Sequence, residues 1–393
     1  MEFPIYLDHA ATTPTHPAVV EAMLPYFTDC YGNPATLYSV GAMAQDAVES
    51  ARERVAAALN AFPEEILFTS GGTESDNAAI RGIALAHSDR GRHLLTTPIE
   101  HHAVLEPMET LARCGFSVEL LPVDSEGRVD PDDVARRIRP DTILVSVMHA
   151  NNEIGTVQPI AEIGTLCRER GVLFHTDAVQ TAGKLPIDVR ALQVDLLSLT
   201  AHKFYGPKGV GALYIRRGVR WTRFQDGGGQ ERGRRGGTLN VPGIVGMGAA
   251  IELALQDREA ECQRLRALRD YLIQRLMDAI PDVHLCGSRE HRLPHNVHVC
   301  VDGVEGEPLL LALDAAGICV SAGSACSSGS TEPSHVLRAI GVPRDRARGA
   351  LRMTLGRSTT QEALDYTVDT LAAVVRDLRR LGGVQPVVSS ASL

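Results

Sequence analysis

The chain has no long apolar run, no basic excess and no paired spacing among its cysteines. Each absence removes a class of function. Nowhere in its 393 residues do about 18 apolar side chains follow one another, so no membrane-spanning helix is expected. Asp and Glu outnumber Lys and Arg by 48 to 39, a formal net charge of −9. That balance argues against a general nucleic-acid or anionic-membrane binder. The start, Met1-Glu2-Phe3-Pro4-Ile5-Tyr6-Leu7-Asp8, lacks the basic opening and apolar core of a signal peptide. The eight cysteines read as reduced thiols rather than a disulfide framework. A cytoplasmic protein is expected. No repeat of solenoid period occurs. What remains is an ordinary composition, 44% hydrophobic and 22% charged, long enough for two or three domains and a large core.

Asp8-His9-Ala10-Ala11-Thr12-Thr13-Pro14 reads as an extended arm entering a turn, and Tyr31-Gly32-Asn33-Pro34 as another turn. From Gly41, the residues Ala44, Ala47, Val48, Ala51, Val55, Ala58 and Leu59 share one helical face. Strand and helix signals then alternate. Strands are expected at 66–69, 93–96, 142–147, 172–175, 194–199 and 211–215. Helices open at Gly71-Gly72-Thr73, near His101 and around Ala161. Alternation of this kind implies right-handed crossovers and an α/β fold with a mainly parallel, doubly covered sheet. Ligands bind such sheets at the carboxyl ends of strands. Thr73, His101, Asn152, Asp177 and Lys203 each follow an expected strand. From about Asp257 a long charged helix, with Leu265, Leu268, Leu272 and Leu276 on one face, begins a smaller α+β domain. The expected division is an arm at 1–15 packing with the small domain, a large domain at 16–256, and a small domain at 257–393. The Gly- and Ser-rich loop 322–333 should be mobile, and the tail from Val384 frayed.

The polar groups at the strand ends suggest chemistry. Lys203 sits in Thr200-Ala201-His202-Lys203-Phe204-Tyr205-Gly206-Pro207, where an apolar run meets a Gly/Pro turn. Packed neighbours can desolvate such an amine and expose a nucleophile. It could form a Schiff base with a carbonyl cofactor such as pyridoxal phosphate (PLP); a solvated loop lysine is the plainer reading. Ser70-Gly71-Gly72-Thr73-Glu74-Ser75 suits either an anion site at a helix start or a simple N-cap. Asp177, closing Phe174-His175-Thr176-Asp177, needs a cationic partner if buried. A protonated pyridine nitrogen would serve, and a helix N-cap is the alternative.

His101 could stack on a planar cofactor or merely start a helix. Its adjacency to His102 is poor for one metal, because neighbours diverge. Cys326, in Ser324-Ala325-Cys326-Ser327-Ser328-Gly329, has small neighbours that leave its sulfur accessible. That suggests a nucleophile, although a free cysteine is usually a small buried hydrophobe. Arg352, in Leu351-Arg352-Met353-Thr354, suits bidentate carboxylate binding or a structural ion pair. His291, His295, His298 and Cys300 match no standard zinc spacing. The Gly227–Thr238 run has arginines and glycines without interleaved aromatics, so an ordered anion-facing loop is expected rather than a nucleic-acid segment.

Taken together, these residues resemble the cysteine desulfurases, the NifS/IscS-like group of PLP enzymes with the aminotransferase class V fold, also called fold type I. The resemblance runs from Asp8-His9-Ala10-Ala11-Thr12-Thr13-Pro14 to Leu355-Gly356-Arg357. It includes, in family order, Gly71-Gly72-Thr73-Glu74-Ser75, Asn151-Asn152-Glu153-Ile154-Gly155, His175-Thr176-Asp177-Ala178-Val179-Gln180 and His202-Lys203. The long Cys326 loop is similar to that of the flexible-loop subgroup. The resemblance implies that Lys203 holds PLP covalently and that His101 stacks on its ring and assists as acid/base. It places Asp177 on the pyridinium nitrogen, with Asn152 and Gln180 on the ring substituents. Gly72, Thr73, Thr200 and His202 would hold the phosphate, with Thr238 reaching in from the second subunit of a homodimer. Arg352 would bind the carboxylate of L-cysteine, helped by Asn33 and Asn152, and Cys326 would take the sulfur. The implied partner is a sulfur acceptor, either an iron–sulfur scaffold or a tRNA-thiolation enzyme. No resident metal, membrane or direct nucleic-acid partner is expected. Tyr38 stands where the family usually has histidine, and the tail after Leu381 is shorter than in members that dock a scaffold. A rival from another class is a catalytically dead fold binding metal or an iron–sulfur cluster through Cys326 and the His298 region.

Overall fold

A computed structural model describes residues 3–322 and 333–382. Its largest element is a seven-stranded sheet. In spatial order the strands are Ile66–Thr69, Gly211–Ile215, Leu196–Thr200, Leu173–Asp177, Thr142–Ser146, His93–Thr96 and Ser117–Leu120. From Leu196–Thr200 to Ser117–Leu120 every neighbour is parallel. Gly211–Ile215 runs antiparallel to both of its neighbours. The chain belongs to the α/β class expected from its alternating signals.

Side chains alternate between the two faces of the sheet, as strand geometry requires. Leu197 packs into a cluster with Val48 and Val55 of helix Ser39–Leu59 and with Ile244 and Met247 of helix Val241–Gln256. Its neighbour Leu196 joins Ile80 and Ile83 of helix Gly72–His87 and Val104 and Met108 of helix His102–Arg113 on the other face. Two covered faces explain why these strands read as continuous apolar runs.

A three-stranded antiparallel sheet follows, with Asn296–Val301 between Val283–Leu285 and Ala350–Thr354. Helices Arg258–Ala279 and Gln361–Leu381 supply Leu272, Leu276, Leu364, Val368 and Leu371 to its core, against Val297, Val299 and Met353. Ile5 and Leu7 enter that same core. Ile5–Tyr6 pairs in parallel with Ile318–Cys319, and Asp8 bridges Thr354. The chain therefore crosses back from this core to the large sheet within a few residues of Asp8.

Among the elements outside the expected pattern are strand Ser117–Leu120 and helices Pro17–Met23 and Val241–Gln256. The strand is an edge, its side chains exposed or half-buried, so it carries no apolar run. Val241–Gln256 contains Gly243, Gly246 and Gly248, which resemble loop composition. Two of these glycines are packing devices. A Cβ at Gly246 would meet Met23 Sδ at 2.6 Å, and one at Gly248 would meet Ala51 Cα at 2.9 Å. The strand expected at 172–175 also shifts: Leu173–Asp177 includes Asp177 itself, since its partner Ser198 continues the ladder.

The Gly-rich segment after Phe224 is anchored by one buried ion pair. Arg52 donates to both carboxylate oxygens of Glu231, at 2.8 and 2.7 Å, and the Phe68 amide donates to Glu231 at 2.9 Å. Glu231 is 7% and Arg52 3% exposed. Arg52 Nε also donates to Glu49 at 3.2 Å, so losing Glu231 leaves the cation partly paired and should cost somewhat less than the about 3–5 kcal/mol typical of a fully stranded buried charge. Glu231→Ala should therefore lower the stability read from chemical denaturation and its midpoint with it. Adding Arg52→Met should recover part of the loss, because the under-compensated cation disappears. An unchanged midpoint in Glu231→Ala would show that the pair contributes nothing.

Candidate active site

The carboxyl ends of the parallel strands, the arm and strand Ala350–Thr354 enclose a cavity of about 280 Å³. Lys203 reaches it from a single 3-10 turn, Ala201–Lys203, directly after strand Leu196–Thr200. Its Nζ donates to the carbonyls of Ala10 and Ala11, at 2.5 and 2.7 Å. The turn itself is stitched to the arm. The Thr13 amide donates to His202 O at 2.9 Å, and His202 Nδ1 lies 3.0 Å from Thr12 Oγ1. Behind it, Lys184 Nζ donates to Lys203 O at 2.9 Å. Burial lowers the Lys184 amine to about 7.

Asp177 ends strand Leu173–Asp177 and is 6% exposed. Its Oδ1 accepts from the Val179 amide at 2.8 Å, closing a turn; no helix follows, so the N-cap alternative is not realised. Burial raises its carboxyl to about 6, while the Val179 amide and the Lys203 charge oppose the rise. His101 caps helix His102–Arg113, its Nδ1 accepting from the Ala103 amide at 3.1 Å. In the neutral ring the proton then sits on Nε2. Burial, followed by the Lys203 charge, lowers this imidazole to about 4. Glu100, wholly buried, accepts from Thr97 Oγ1 at 2.8 Å and the Met148 amide at 2.9 Å. Burial raises its carboxyl to about 8.

Asn152 sits on a loop built by its neighbour. Asn151 Oδ1 accepts from the amides of Glu153 and Ile154, and its Nδ2 donates to Ile99 O. Gln180 Nε2 donates to Ala10 O at 3.0 Å, and its buried Oε1 has no hydrogen-bond partner among the described residues. At the other end, Gly72, Thr73, Thr200 and His202 also line a wider concavity of about 470 Å³. Helix Gly72–His87 starts there without a side-chain cap. A Cβ at Gly72 would meet Val179 Cγ2 at 2.7 Å. Burial lowers the His202 imidazole to about 4.

Arg352 is 2% exposed. One terminal nitrogen donates to Asn152 O at 3.0 Å and the other to Asp8 Oδ1 at 2.8 Å. The structural ion pair expected of it is present, with Asp8, and Arg352 also lines the cavity. Asn33 and Thr238 do not line the cavity of this single chain. Asn33 Oδ1 instead accepts from the Ala35 amide, and Thr238 is exposed. Cys326 and most of the loop 322–333 lie outside the described residues. Among the described residues no three metal-donor side chains converge; His298 lies across the strand pair from Arg352.

The sequence reading passed over Asp76, Glu153 and His335, all of which line the cavity, and over the Asp8 contact. Asp76 carried one readable signal, a carboxylate inside a helix whose other residues are largely small and apolar. Ser334 Oγ donates to Glu153 at 2.6 Å, and His335 Nε2 lies 2.9 Å from Glu100 O.

The family model for aminotransferase class V matches residues 5–367. A cysteine desulfurase IscS of Dictyoglomus turgidum is 53% identical over 381 residues, 97% of this chain and 97% of that protein. One of Methanosarcina thermophila is 53% identical, over 97% of this chain and 94% of that protein. Among solved structures, a NifS-like protein matches with a TM-score of 0.90 at 40% identity, covering 95% of this chain and 99% of that one. A structure described as SspA in complex with cysteine matches with 0.79 at 37% identity, covering 89% and 98%. With the family model spanning most of the chain and such relatives spanning nearly all of it, this protein belongs to the aminotransferase class-V family, among the cysteine desulfurases.

Proposed function

We propose that the chain is a PLP-dependent cysteine desulfurase that takes sulfur from L-cysteine, releases L-alanine and carries the sulfur as a persulfide on Cys326. The observation that carries this reading is the convergence of the Lys203 amine, the buried Asp177 carboxyl and the Arg352 guanidinium on one cavity. The wall suits PLP. Gly72 opens an uncapped helix where a Cβ would collide, next to the Thr73 and Thr200 hydroxyls and His202, a donor set for a phosphate. The orphaned Gln180 Oε1 and the half-compensated Asp177 await polar partners. Lys203 would attach the cofactor, Asp177 would pair with its ring nitrogen, and His101 would cover its face. Asn152 and Gln180 would meet ring substituents, and Thr238 would come from a second subunit. Bound PLP supplies an electron sink for negative charge at the substrate Cα.

The remaining work falls to the chain. Arg352 binds the substrate carboxylate, with Asn152 and Asn33 beside it. Lys203 Nζ moves the Cα proton. His101 is neutral at working pH and carries its proton on Nε2, so it can act as an acid. The Cys326 thiolate attacks the substrate sulfur: the Cβ–S bond breaks, an S–S bond forms, and the carbon takes up a proton to give alanine. Both flanks of the Cys326 segment are tied to the site. Ser321 exchanges main-chain hydrogen bonds with Arg352, and Ser334 and His335 bind Glu153 and Glu100 O. In this reading residues 1–15 are an arm, 16–256 the PLP-binding domain and 257–393 the domain with the sulfur-accepting loop. The protein works as a cytoplasmic homodimer and passes sulfur to an acceptor protein for iron–sulfur assembly or thiolation.

Two variants separate the roles. Lys203→Ala should lose the yellow absorbance of the holoenzyme. Cys326→Ala should keep it and bind cysteine, yet form neither alanine nor persulfide. Release of sulfide and alanine by Cys326→Ala at the parent rate would remove the nucleophile assignment. Arg352→Lys keeps the charge but loses the fork, so KM for cysteine should rise about tenfold or more with a smaller change in kcat. An unchanged KM would place the carboxylate elsewhere.

The pH dependence follows from Asp177. Its carboxyl protonates near about 6, and the neutral acid cannot pair with a protonated ring nitrogen. The ionised form is the binding form, so apoenzyme affinity for PLP should be full above that pH and fall as pH drops through it. Absorbance titration at several pH values checks this. In Asp177→Asn the step near that pH should vanish, and its persistence would assign the titration to another group.

A further inference from the structure

A second carboxyl is packed behind Asp177. Asp76 lies in the opening turns of helix Gly72–His87 and is 1% exposed, and it shares the cavity wall with Asp177. Asp177 stands two residues beyond His175 on the same face of strand Leu173–Asp177, so the two carboxyls are neighbours, and each bears on the other's ionisation. Asp76 Oδ1 lies 3.5 Å from His175 Nε2 and is buried without a hydrogen-bond partner among the described residues.

His175 does not neutralise Asp76. Its ring is held between Ser146 Oγ at 2.8 Å and Ser198 Oγ at 3.0 Å, and burial lowers it to about 3. Glu100, the next acid, is buried with its own donors and raised, as Asp177 is. The Lys203 charge bears on the pair through Asp177. Two neighbouring buried carboxylates in a low-dielectric interior resist ionising together, so the pair holds a proton. Asp177 has the Val179 amide and Lys203 to support its anion. Asp76 has less: its Oδ1 is without a hydrogen-bond partner among the described residues, and the nearby Ser198 hydroxyl is engaged by His175.

We propose that Asp76 is a buried carboxylic acid, protonated at working pH, that donates a hydrogen bond to Asp177 and so keeps Asp177 ionised and aimed at the cofactor's ring nitrogen. Asp76 is a positioning residue, acting through Asp177. Only its effect on the cofactor rests on the function proposed above; the proton-sharing pair belongs to the chain itself. A preorganised donor of this kind needs no rearrangement when the ring nitrogen arrives. It also gives a reason for a carboxyl where a leucine would fill the space without any charge to compensate.

Infrared spectroscopy of the cofactor-free protein with carboxyl-labelled aspartate tests the pair directly. Between about pH 7 and 8, where a solvated aspartate is ionised, the parent should show an isotope-shifted acid carbonyl band, and Asp76→Asn should lack it. Labelling aspartate alone keeps Glu100 out of the signal. No such band in the parent, or its survival in Asp76→Asn, overturns the proposal. PLP titration then tests the consequence. Asp76→Asn, whose amide still donates, should bind PLP within about threefold of the parent, with the same pH midpoint. Asp76→Leu should bind at least about tenfold more weakly, the loss of one hydrogen bond to a charged group, with its midpoint at higher pH. A midpoint that moves to lower pH in Asp76→Asn would mean that a negative charge had been removed, and would overturn the proposal. If the band behaves as expected while no form binds PLP, the pair stands and the cofactor assignment falls.

Discussion

The structure depends on burying the Arg352 guanidinium. It stands on the middle strand position of Ala350–Thr354, almost without solvent contact. A buried cation costs several kcal/mol unless its donors are met. Two segments far apart in the chain accept from its terminal nitrogens, Asp8 from the arm and Asn152 O from the loop after Ser146, while a third, Ser321, pairs with the main chain of Arg352. The arm's course follows from this requirement. Having paired Ile5–Tyr6 with Ile318–Cys319, it must place Asp8 against Arg352. Two residues later it gives the Ala10 and Ala11 carbonyls to Lys203. One short stretch of chain thus fixes both cations of the site, the one that would grip a carboxylate and the one that would hold a cofactor.

Burial also sorts the titratable groups into different states at one pH. His101 and His202 are pushed down and remain neutral, whereas Glu100 is pushed up and keeps a proton. Asp177 lies between, because the Val179 amide and Lys203 offset part of its desolvation. Neighbouring groups with separated ionisation are what general acid–base chemistry requires. The separation arises from depth beneath the sheet's carboxyl edge more than from any single partner. It would be lost if water entered the cavity floor beside Asp76 and His175.

Much of this was legible in the chain itself. Strands covered on both faces leave unbroken apolar runs, so their ends are visible. In a parallel sheet the polar residue after each run lies on the ligand-binding edge. Thr73, His101, Asn152, Asp177 and Lys203 came to one cavity for that reason. What could not be read depends on contacts between distant segments. Ser117–Leu120 has an exposed edge and no apolar run. Val241–Gln256 carries glycines whose use appears only once Met23 and Ala51 are packed on them. Asp8 looks like an ordinary arm residue until Arg352 is found across from it. Asp76 looks like an ordinary helix acid until its burial beside Asp177 is known. Asn33 and Thr238 carry roles implied by resemblance alone, and neither lines the cavity within one chain.

The geometry also bears on how a site of this type would choose one outcome. A lysine, a ring-nitrogen partner and a carboxylate grip are common requirements of many reactions at an amino acid's Cα. Nothing in those three groups favours breaking a carbon–sulfur bond over moving an amino group. Selection must come from a group that meets the substrate's sulfur. The ladder between Ser321 and Arg352 gives that requirement a mechanical form. The residue assigned to the substrate carboxylate and the strand end leading toward Cys326 are hydrogen-bonded backbone to backbone. A displacement of that strand end would strain the guanidinium's contacts with Asp8 and Asn152, so under the proposed function carboxylate recognition and the approach to Cys326 would be mechanically coupled. A thiol placed on an unrelated surface loop would have no such link. Under the proposed function, the tie would place the origin of thiol delivery at the residue assigned to the substrate carboxylate.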